Sequence, residues 1–175
     1  GSLALGSCSK SGGNEFTAEG TITDAAGKTL YLETTDTDEP QLIDSVTLDE
    51  KGRFRFRREA HSYPAFYRLR LGESFIPFAA DSVTHLTLSA SGKDLFSTYK
   101  IESGDEANKQ IREISQLRTA TDKAIEAILT QLNNGTLDRG VALARIDSLS
   151  TQLKNTLTSK YIFSDPKGAA AYYAL

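Results

Sequence analysis

Residues 43–57 constrain the fold of this chain more than any other stretch. They read IDSVTLDEKGRFRFR, and the last five alternate strictly between arginine and phenylalanine. Successive side chains of a strand point to opposite faces, so Phe54 and Phe56 would be buried while the arginines face water. Residues 49–52, Asp-Glu-Lys-Gly, have the composition of a turn. The stretch therefore predicts a β-hairpin in an antiparallel sheet that buries one face.

Short alternating segments on both sides of this stretch predict further strands. Turn-rich residues separate segments at 16–23, 29–34, 66–71, 74–79 and 83–90, and a last short strand is predicted around Tyr99 and Ile101. Short strands separated by frequent turns are typical of a β-sandwich or barrel. We therefore expect seven to eight strands over residues 16–102, in an antiparallel β-sandwich or partly open barrel.

The pattern changes to a helical one in residues 103–175. Between residues 111 and 132, apolar side chains recur at spacings of three and four, as along one face of a helix. A second apolar stripe runs from residue 142 to residue 157, and Asn-Asn-Gly at 133–135 suits the end of a helix between them. The sequence predicts an antiparallel helical hairpin after the strands, and hence an α+β fold.

Several residues predict where these helices begin. Ser103 and Thr136 are candidate N-caps for the two helices of the hairpin. Asp165 and Pro166 predict the start of a third helix. The sequence stops at Leu175 within an apolar helical segment, and we expect the native chain to continue past it; the alternative is a terminal helix that docks on its own domain.

Composition excludes several classes of function. The net charge of −3 over 175 residues gives no reason to expect binding of nucleic acid. The single cysteine excludes an internal disulfide framework, a Cys-x-x-Cys redox pair and a cysteine-based zinc site within this sequence. No phosphate-binding loop, dinucleotide fingerprint or nucleophile elbow occurs. We predict no catalytic residues, no metal and no cofactor.

The first fifteen residues predict a membrane anchor. Residues 5–8, Leu-Gly-Ser-Cys, resemble the lipobox of bacterial lipoprotein signal peptides. That resemblance implies that Cys8 carries a lipid and that the protein is held in the cell envelope, facing the periplasm. Residues 9–14 are rich in serine and glycine, as in a flexible tether. The alternative is a lone surface cysteine in a flexible tail.

Five arginines on two predicted strands are candidates for ligand binding. If the two strands are neighbours, the five side chains lie on one sheet face and could bind an anionic glycan or a phosphate. The alternative is a solvated face, or one whose arginine stems lie under the helical hairpin with their charges paired to acidic residues. The five are Arg53, Arg55, Arg57, Arg68 and Arg70.

Other polar residues give weaker signals. Asp36, Asp38 and Glu39 could hold a calcium ion, but they lack the glycine and the distal glutamate of an EF-hand loop, and a plain acidic loop is the simpler interpretation. His61 and His85 are isolated from other candidate ligands, so we expect ordinary hydrogen-bonded or exposed histidines.

The order of these segments resembles a known family. It is similar to the β-rich domain of unknown function at the N-terminus of Bacteroidetes-type lipoprotein thiol-disulfide oxidoreductases, in which helices follow the strands and a thioredoxin-like domain of the AhpC/TSA class comes last. The resemblance covers about residues 16–175. It is carried by GTI at 20–22, LYL at 30–32, IDS at 43–45, GRFRF at 52–56 and FYRL at 66–69.

The resemblance implies a non-catalytic module that positions a downstream thioredoxin-like domain or recognises its client protein. The thioredoxin-like domain and its Cys-x-x-Cys pair are absent from these residues, so no redox residue carries over. The alternative is a stand-alone lipoprotein that binds a glycan or a peptide. The helices could also form the contact of a homodimer.

Overall fold

The computed structural model describes residues 13–102 and 104–175. Within these residues, eight strands form two four-stranded sheets. Sheet I has the order β4-β1-β7-β8 and sheet II has the order β3-β2-β5-β6. All neighbours are antiparallel except β1 and β7, which are parallel. The strands are β1 (Glu15–Thr23), β2 (Thr29–Thr34), β3 (Gln41–Thr47), β4 (Arg53–Glu59), β5 (Ala65–Leu71), β6 (Ser74–Ala80), β7 (His85–Ser91) and β8 (Lys100–Ile101).

The two sheets face each other across a shared hydrophobic core. Phe16 of β1 is fully buried, and its ring lies 4.8 Å from the Tyr67 ring and 6.1 Å from the Phe78 ring, both on sheet II. Leu30 and Leu69 of sheet II are also fully buried in this core. The sheets do not close into a barrel. The predicted α+β fold with a β-sandwich is therefore confirmed.

The hairpin predicted for residues 43–57 is wrong. β3 pairs with β2 in sheet II, whereas β4 pairs with β1 in sheet I, so the turn at residues 49–52 carries the chain from one sheet to the other. The Asp49 carboxylate accepts hydrogen bonds from the backbone N–H groups of Lys51 and Arg53, which fixes this turn. Alternation along a strand specifies which face is buried but does not specify the neighbouring strand.

The helical hairpin is confirmed, but its helices begin later than predicted. Asp105 caps α2 by accepting from the Asn108 N–H, and Asp138 caps α3 by accepting from the Val141 N–H. The predicted caps were Ser103, which lies outside the described residues, and Thr136. An aspartate also places a negative charge at the positive end of a helix. The helices are α1 (Leu95–Thr98), α2 (Glu106–Asn133), α3 (Arg139–Leu157) and α4 (Ala169–Ala174), and a π-helical turn (Thr158–Ile162) extends α3.

The third helix also departs from its predicted start. It begins at Ala169, after Gly168, and not at Asp165 and Pro166. The backbone N–H of Gly168 donates to the carbonyl of Asp165, so the predicted start forms a turn that precedes the helix. No helix in the described part of the chain combines the length and the hydropathy that crossing a membrane requires.

One buried side chain joins the helices to the sandwich. The Asn108 amide of α2 accepts a hydrogen bond from the Ala79 N–H (2.8 Å) and donates to the Ala79 carbonyl (2.9 Å). Ala79 belongs to β6, an edge strand of sheet II, so Asn108 takes the place that another strand would occupy. Beside it, the Phe66 ring of β5 lies 6.1 Å from the Tyr173 ring of α4. The helices are thus fixed to one end of sheet II.

Gly52→Ala should destabilise the fold strongly. Gly52 has a φ of +70°, and a Cβ atom there would lie 1.8 Å from the Ile22 carbonyl oxygen. The strained backbone and the overlap together should lower the free energy of unfolding by about 2–4 kcal/mol, measured by urea denaturation. Gly27→Ala is the matched control, because Gly27 has a φ of +78° and a Cβ added there would meet no atom within 4 Å. Equal losses for the two variants would contradict the proposed overlap.

Candidate functional site

The five candidate arginines lie on two different sheets. Arg53, Arg55 and Arg57 belong to β4 of sheet I, and Arg68 and Arg70 belong to β5 of sheet II. The expectation of one shared arginine face is therefore wrong, because it required the two strands to be neighbours. The arginines do point away from the core on each sheet, as the alternation predicted.

On sheet I, each arginine has its own acidic partner. Arg53 pairs with Asp49 at 3.3 Å. Arg55 pairs with Glu19 at 3.5 Å, and Arg57 pairs with Glu15 at 2.9 Å. These side chains are about half exposed, and ion pairs of this kind contribute at most about 1 kcal/mol. This face of sheet I is therefore a solvated surface whose charges balance locally, as in the alternative interpretation of the arginines.

On sheet II, two arginines share one buried carboxylate. Glu33 of β2 is only 5% exposed. Its Oε2 atom lies 2.8 Å from Nη2 of Arg68, and its Oε1 atom accepts a hydrogen bond from Nε of Arg70. The side chains of Arg68 and Arg70 are 21% and 31% exposed, so this cluster is better shielded from water than the pairs on sheet I.

Each of the two guanidinium groups lies over an aromatic ring. The Arg68 guanidinium lies 4.8 Å from the centre of the Phe75 ring, and the Arg70 guanidinium lies 4.4 Å from the centre of the Tyr31 ring. Stacking of this kind is attractive and restricts the orientation of the guanidinium. We call these five residues, Tyr31, Glu33, Arg68, Arg70 and Phe75, the aromatic–arginine face.

The charge of Glu33 is maintained by its partners. Burial by itself raises the pKa of the Glu33 carboxyl, but hydrogen bonds from Arg70 and Arg68, together with their positive charges, outweigh it. The resulting pKa lies below the ordinary value of 4.5. Glu33 is therefore ionised at neutral pH, and the cluster carries two positive charges and one negative charge.

The open part of sheet II coincides with the aromatic–arginine face. At one end of the sheet, Tyr173 of the helical region lies against Phe66. Away from that end of the sheet, Phe75 of β6 is 42% exposed, and Leu42 of β3, the strand partner of Glu33, is 62% exposed. The register between β2 and β3 shifts next to Glu33, which leaves Ile43 as an extra residue in β3. The cluster is thus bordered by exposed apolar side chains.

No sequence pattern marks Glu33, Tyr31 or Phe75 as members of a site. Each lies on the outward side of a short strand and looks like an ordinary surface residue. Only the pairing of β2, β5 and β6 brings them beside the arginines. The alternation of TLYLET and FYRLRL could have placed Glu33 and Arg68 on outward faces, but not next to each other.

Asp36, His61 and His85 each have a structural partner. The Asp36 carboxylate accepts from the Phe66 backbone N–H. The Thr17 hydroxyl and Nδ1 of His85 are hydrogen-bonded at 2.9 Å, and His61 stacks on Tyr63. No cluster of potential metal ligands occurs in residues 13–102 or 104–175. Cys8, the predicted lipidation site, lies outside the described residues.

A groove between α2 and α3 is a second surface feature. Its volume is about 500 Å³. Its apolar lining includes Ile125, Leu153, Leu157, Ile162 and Leu175, and its charged lining is Arg118, Asp122 and Lys154. The π-helical turn and the end of α4 also contribute to this lining, so the groove lies where all of these elements leave part of their apolar surface accessible.

Comparison with known families identifies the β-rich part of the chain. The family model described as Domain of unknown function (DUF4369) matches residues 16–110. The chain belongs to this family. A comparison with curated proteins finds no match. The predicted resemblance to a domain of unknown function is thus confirmed, and its link to a thioredoxin-like domain stays a prediction.

The DUF4369 match covers both sheets and the start of α2. It ends at residue 110, two positions after Asn108, so the contact between Asn108 and Ala79 lies inside the matched region. The aromatic–arginine face lies entirely within it, whereas α3 and α4 lie beyond it. In this DUF4369 chain, the first turn of α2 therefore belongs to the same unit as the sandwich.

Glu33→Gln should lower stability in a pH-dependent way. The folded pKa of Glu33 lies below its unfolded value, so the carboxylate stabilises the fold above about pH 4.5 and loses this effect as the pH falls through the folded pKa. The variant should therefore lose about 1–3 kcal/mol of unfolding free energy at pH 7, with a smaller difference from wild type at pH 3. Urea denaturation at both pH values measures this.

The matched control for Glu33→Gln is Glu19→Gln on sheet I. The Glu19 side chain is 46% exposed and pairs with Arg55 at 3.5 Å, so its loss should cost less than about 1 kcal/mol. An equal gap between wild type and Glu33→Gln at pH 7 and pH 3 would show that Glu33 does not act through its charge.

Proposed function

We propose that this chain is a non-catalytic N-terminal module of a cell-envelope thiol-disulfide oxidoreductase. In this proposal, a thioredoxin-like domain follows the helices, and the module positions that domain or recognises its client protein. Membership of the DUF4369 family supports the proposal, because a β-rich domain of unknown function is the part of such enzymes that the sequence resembles.

The contact between Asn108 and Ala79 is the observation that carries the positioning role. A module can position a following domain only if its helices and its sandwich keep a fixed relation. Asn108 is 2% exposed and makes two backbone hydrogen bonds to β6, while Ile111 and Ala169 pack against Ala79 beside it. Buried hydrogen bonds of this kind are costly to break, so the helices do not swing freely.

The location of the module in the cell follows from the same proposal. A lipid on Cys8 would anchor the chain in the membrane, and residues 9–14 would separate the sandwich from the bilayer. The module would then face the periplasm, where disulfide chemistry takes place. Homodimerisation through the helices stays a prediction, and the groove between α2 and α3 is the surface on which it would depend.

The native protein should be larger than this chain. An antibody raised against the chain should detect a polypeptide that exceeds 19.0 kDa by a domain of roughly 100–150 residues. Mass spectrometry of that polypeptide should find a Cys-x-x-Cys pair beyond residue 175. A band at the mass of the chain itself would contradict the proposal and favour the stand-alone binding lipoprotein.

Asn108→Ala in the longer protein should separate two activities. Reduction of a protein client should slow, because the redox domain is no longer held in place, whereas reduction of a small disulfide should be unchanged, because its chemistry needs no positioning. Steady-state rates for both substrates measure this. Gln131→Ala, at an exposed position of the same helix, is the control. Equal loss of both activities in Asn108→Ala would argue against positioning.

A further inference from the structure

The aromatic–arginine face carries one more positive charge than its protein partners neutralise. On sheet I, Arg53, Arg55 and Arg57 each pair with a separate carboxylate. On sheet II, the described ion pairs of Arg68 and Arg70 both go to the single carboxylate of Glu33. The two surfaces therefore differ in kind, since only the second has a cationic group left for an external anion.

Each guanidinium group of this face also has an N–H donor whose hydrogen bond is accepted by no described residue. Arg68 directs Nε and Nη2 at Glu33, and Arg70 directs Nε at Glu33 and Nη1 at the Gly72 carbonyl. Nη1 of Arg68 and Nη2 of Arg70 have no hydrogen bond among residues 13–102 and 104–175. Because stacking and the buried carboxylate already fix both groups, binding an anion would cost little side-chain entropy.

The surroundings of the two donors indicate which class of ligand would bear the anionic group. Arg68 and Arg70 lie on β5, and β2 and β5 each pair with a strand on both sides, so a ligand above these two strands meets only side chains. Those side chains are a partly exposed Phe75, the Tyr31 ring and Leu42, on both flanks of the arginines. Rings of this kind pack against the C–H faces of sugars, whereas an extended peptide is best held by a free strand edge.

We propose that the aromatic–arginine face binds a saccharide that bears a carboxylate, such as a uronic acid unit. The carboxylate lies against Nη1 of Arg68 and Nη2 of Arg70, and the sugar ring packs on Phe75. Guanidinium groups match the planar geometry of carboxylates and form charge-assisted hydrogen bonds with them. This binding is independent of the positioning role proposed above and would persist if no redox domain exists.

Calorimetric titration of the chain with a hexamer of galacturonic acid tests the proposal, and the methyl ester of the same hexamer serves as the neutral probe. The acid form should bind and the ester should not. Arg70→Gln should weaken binding by about tenfold or more, since it removes one of the two open donors and the excess charge. Phe75→Ala should weaken it similarly, and it leaves the ion pairs of Glu33 in place. Thermal unfolding of each variant verifies that it is folded.

Arg55→Gln on sheet I is the matched control. It removes the same charge from the same molecule, but its partner Glu19 already balances that charge, so affinity should change less than about twofold. Three results would each overturn the proposal: no binding of the acid hexamer at millimolar concentration, equal binding of acid and ester, or equal loss in Arg55→Gln and Arg70→Gln. Weaker binding of the acid hexamer in Arg70→Gln and in Phe75→Ala, with little change in Arg55→Gln, would support the proposal.

Discussion

The packing of Phe16 between the two sheets is the contact on which the rest of the structure depends. Its ring is fully buried and touches Tyr67 and Phe78 of the opposite sheet. Burial of one such ring contributes about 1.5–3 kcal/mol. Once this contact fixes the inner sides of β1 and β5, the period of two along each strand decides every outward side chain. The outward position of Arg68 and Arg70 is therefore a consequence of how the core is filled.

Alternation in the sequence predicted the buried faces well and the strand neighbours poorly. Phe54 and Phe56 are buried, and Leu69 and Leu71 likewise face the core, as their spacing indicated. Residues 43–57 nevertheless do not form a hairpin, because β1 takes β4 as its partner. Either pairing buries the same phenylalanines, so hydrophobicity does not distinguish them. The choice depends on contacts that are remote in sequence.

Because alternation does not reveal which strands are neighbours, the sequence predicted only part of the candidate site. Arginines at alternate positions were recognisable as outward-facing, and their grouping failed because β4 and β5 lie in different sheets. Glu33 was missed because its importance comes from its burial between Arg68 and Arg70. The helix starts were missed by small margins, since Asp105 and Asp138 each lie two positions after the predicted cap. Local sequence patterns predict which side chains face outward, whereas strand pairing decides which of them lie next to each other.

The parallel pairing of β1 with β7 has a consequence for how the chain folds. β1 pairs with β4, as in Glu15 with Glu59, and with β7, as in Thr17 with His85. It leaves the ribosome before both of its neighbours, which come much later in the chain. Proteins dominated by such distant contacts fold slowly, and strands that are still unpaired during folding are prone to aggregate. During synthesis, residues 15–23 therefore stay without a strand partner longer than any other described strand, because β4 is the first partner that they meet.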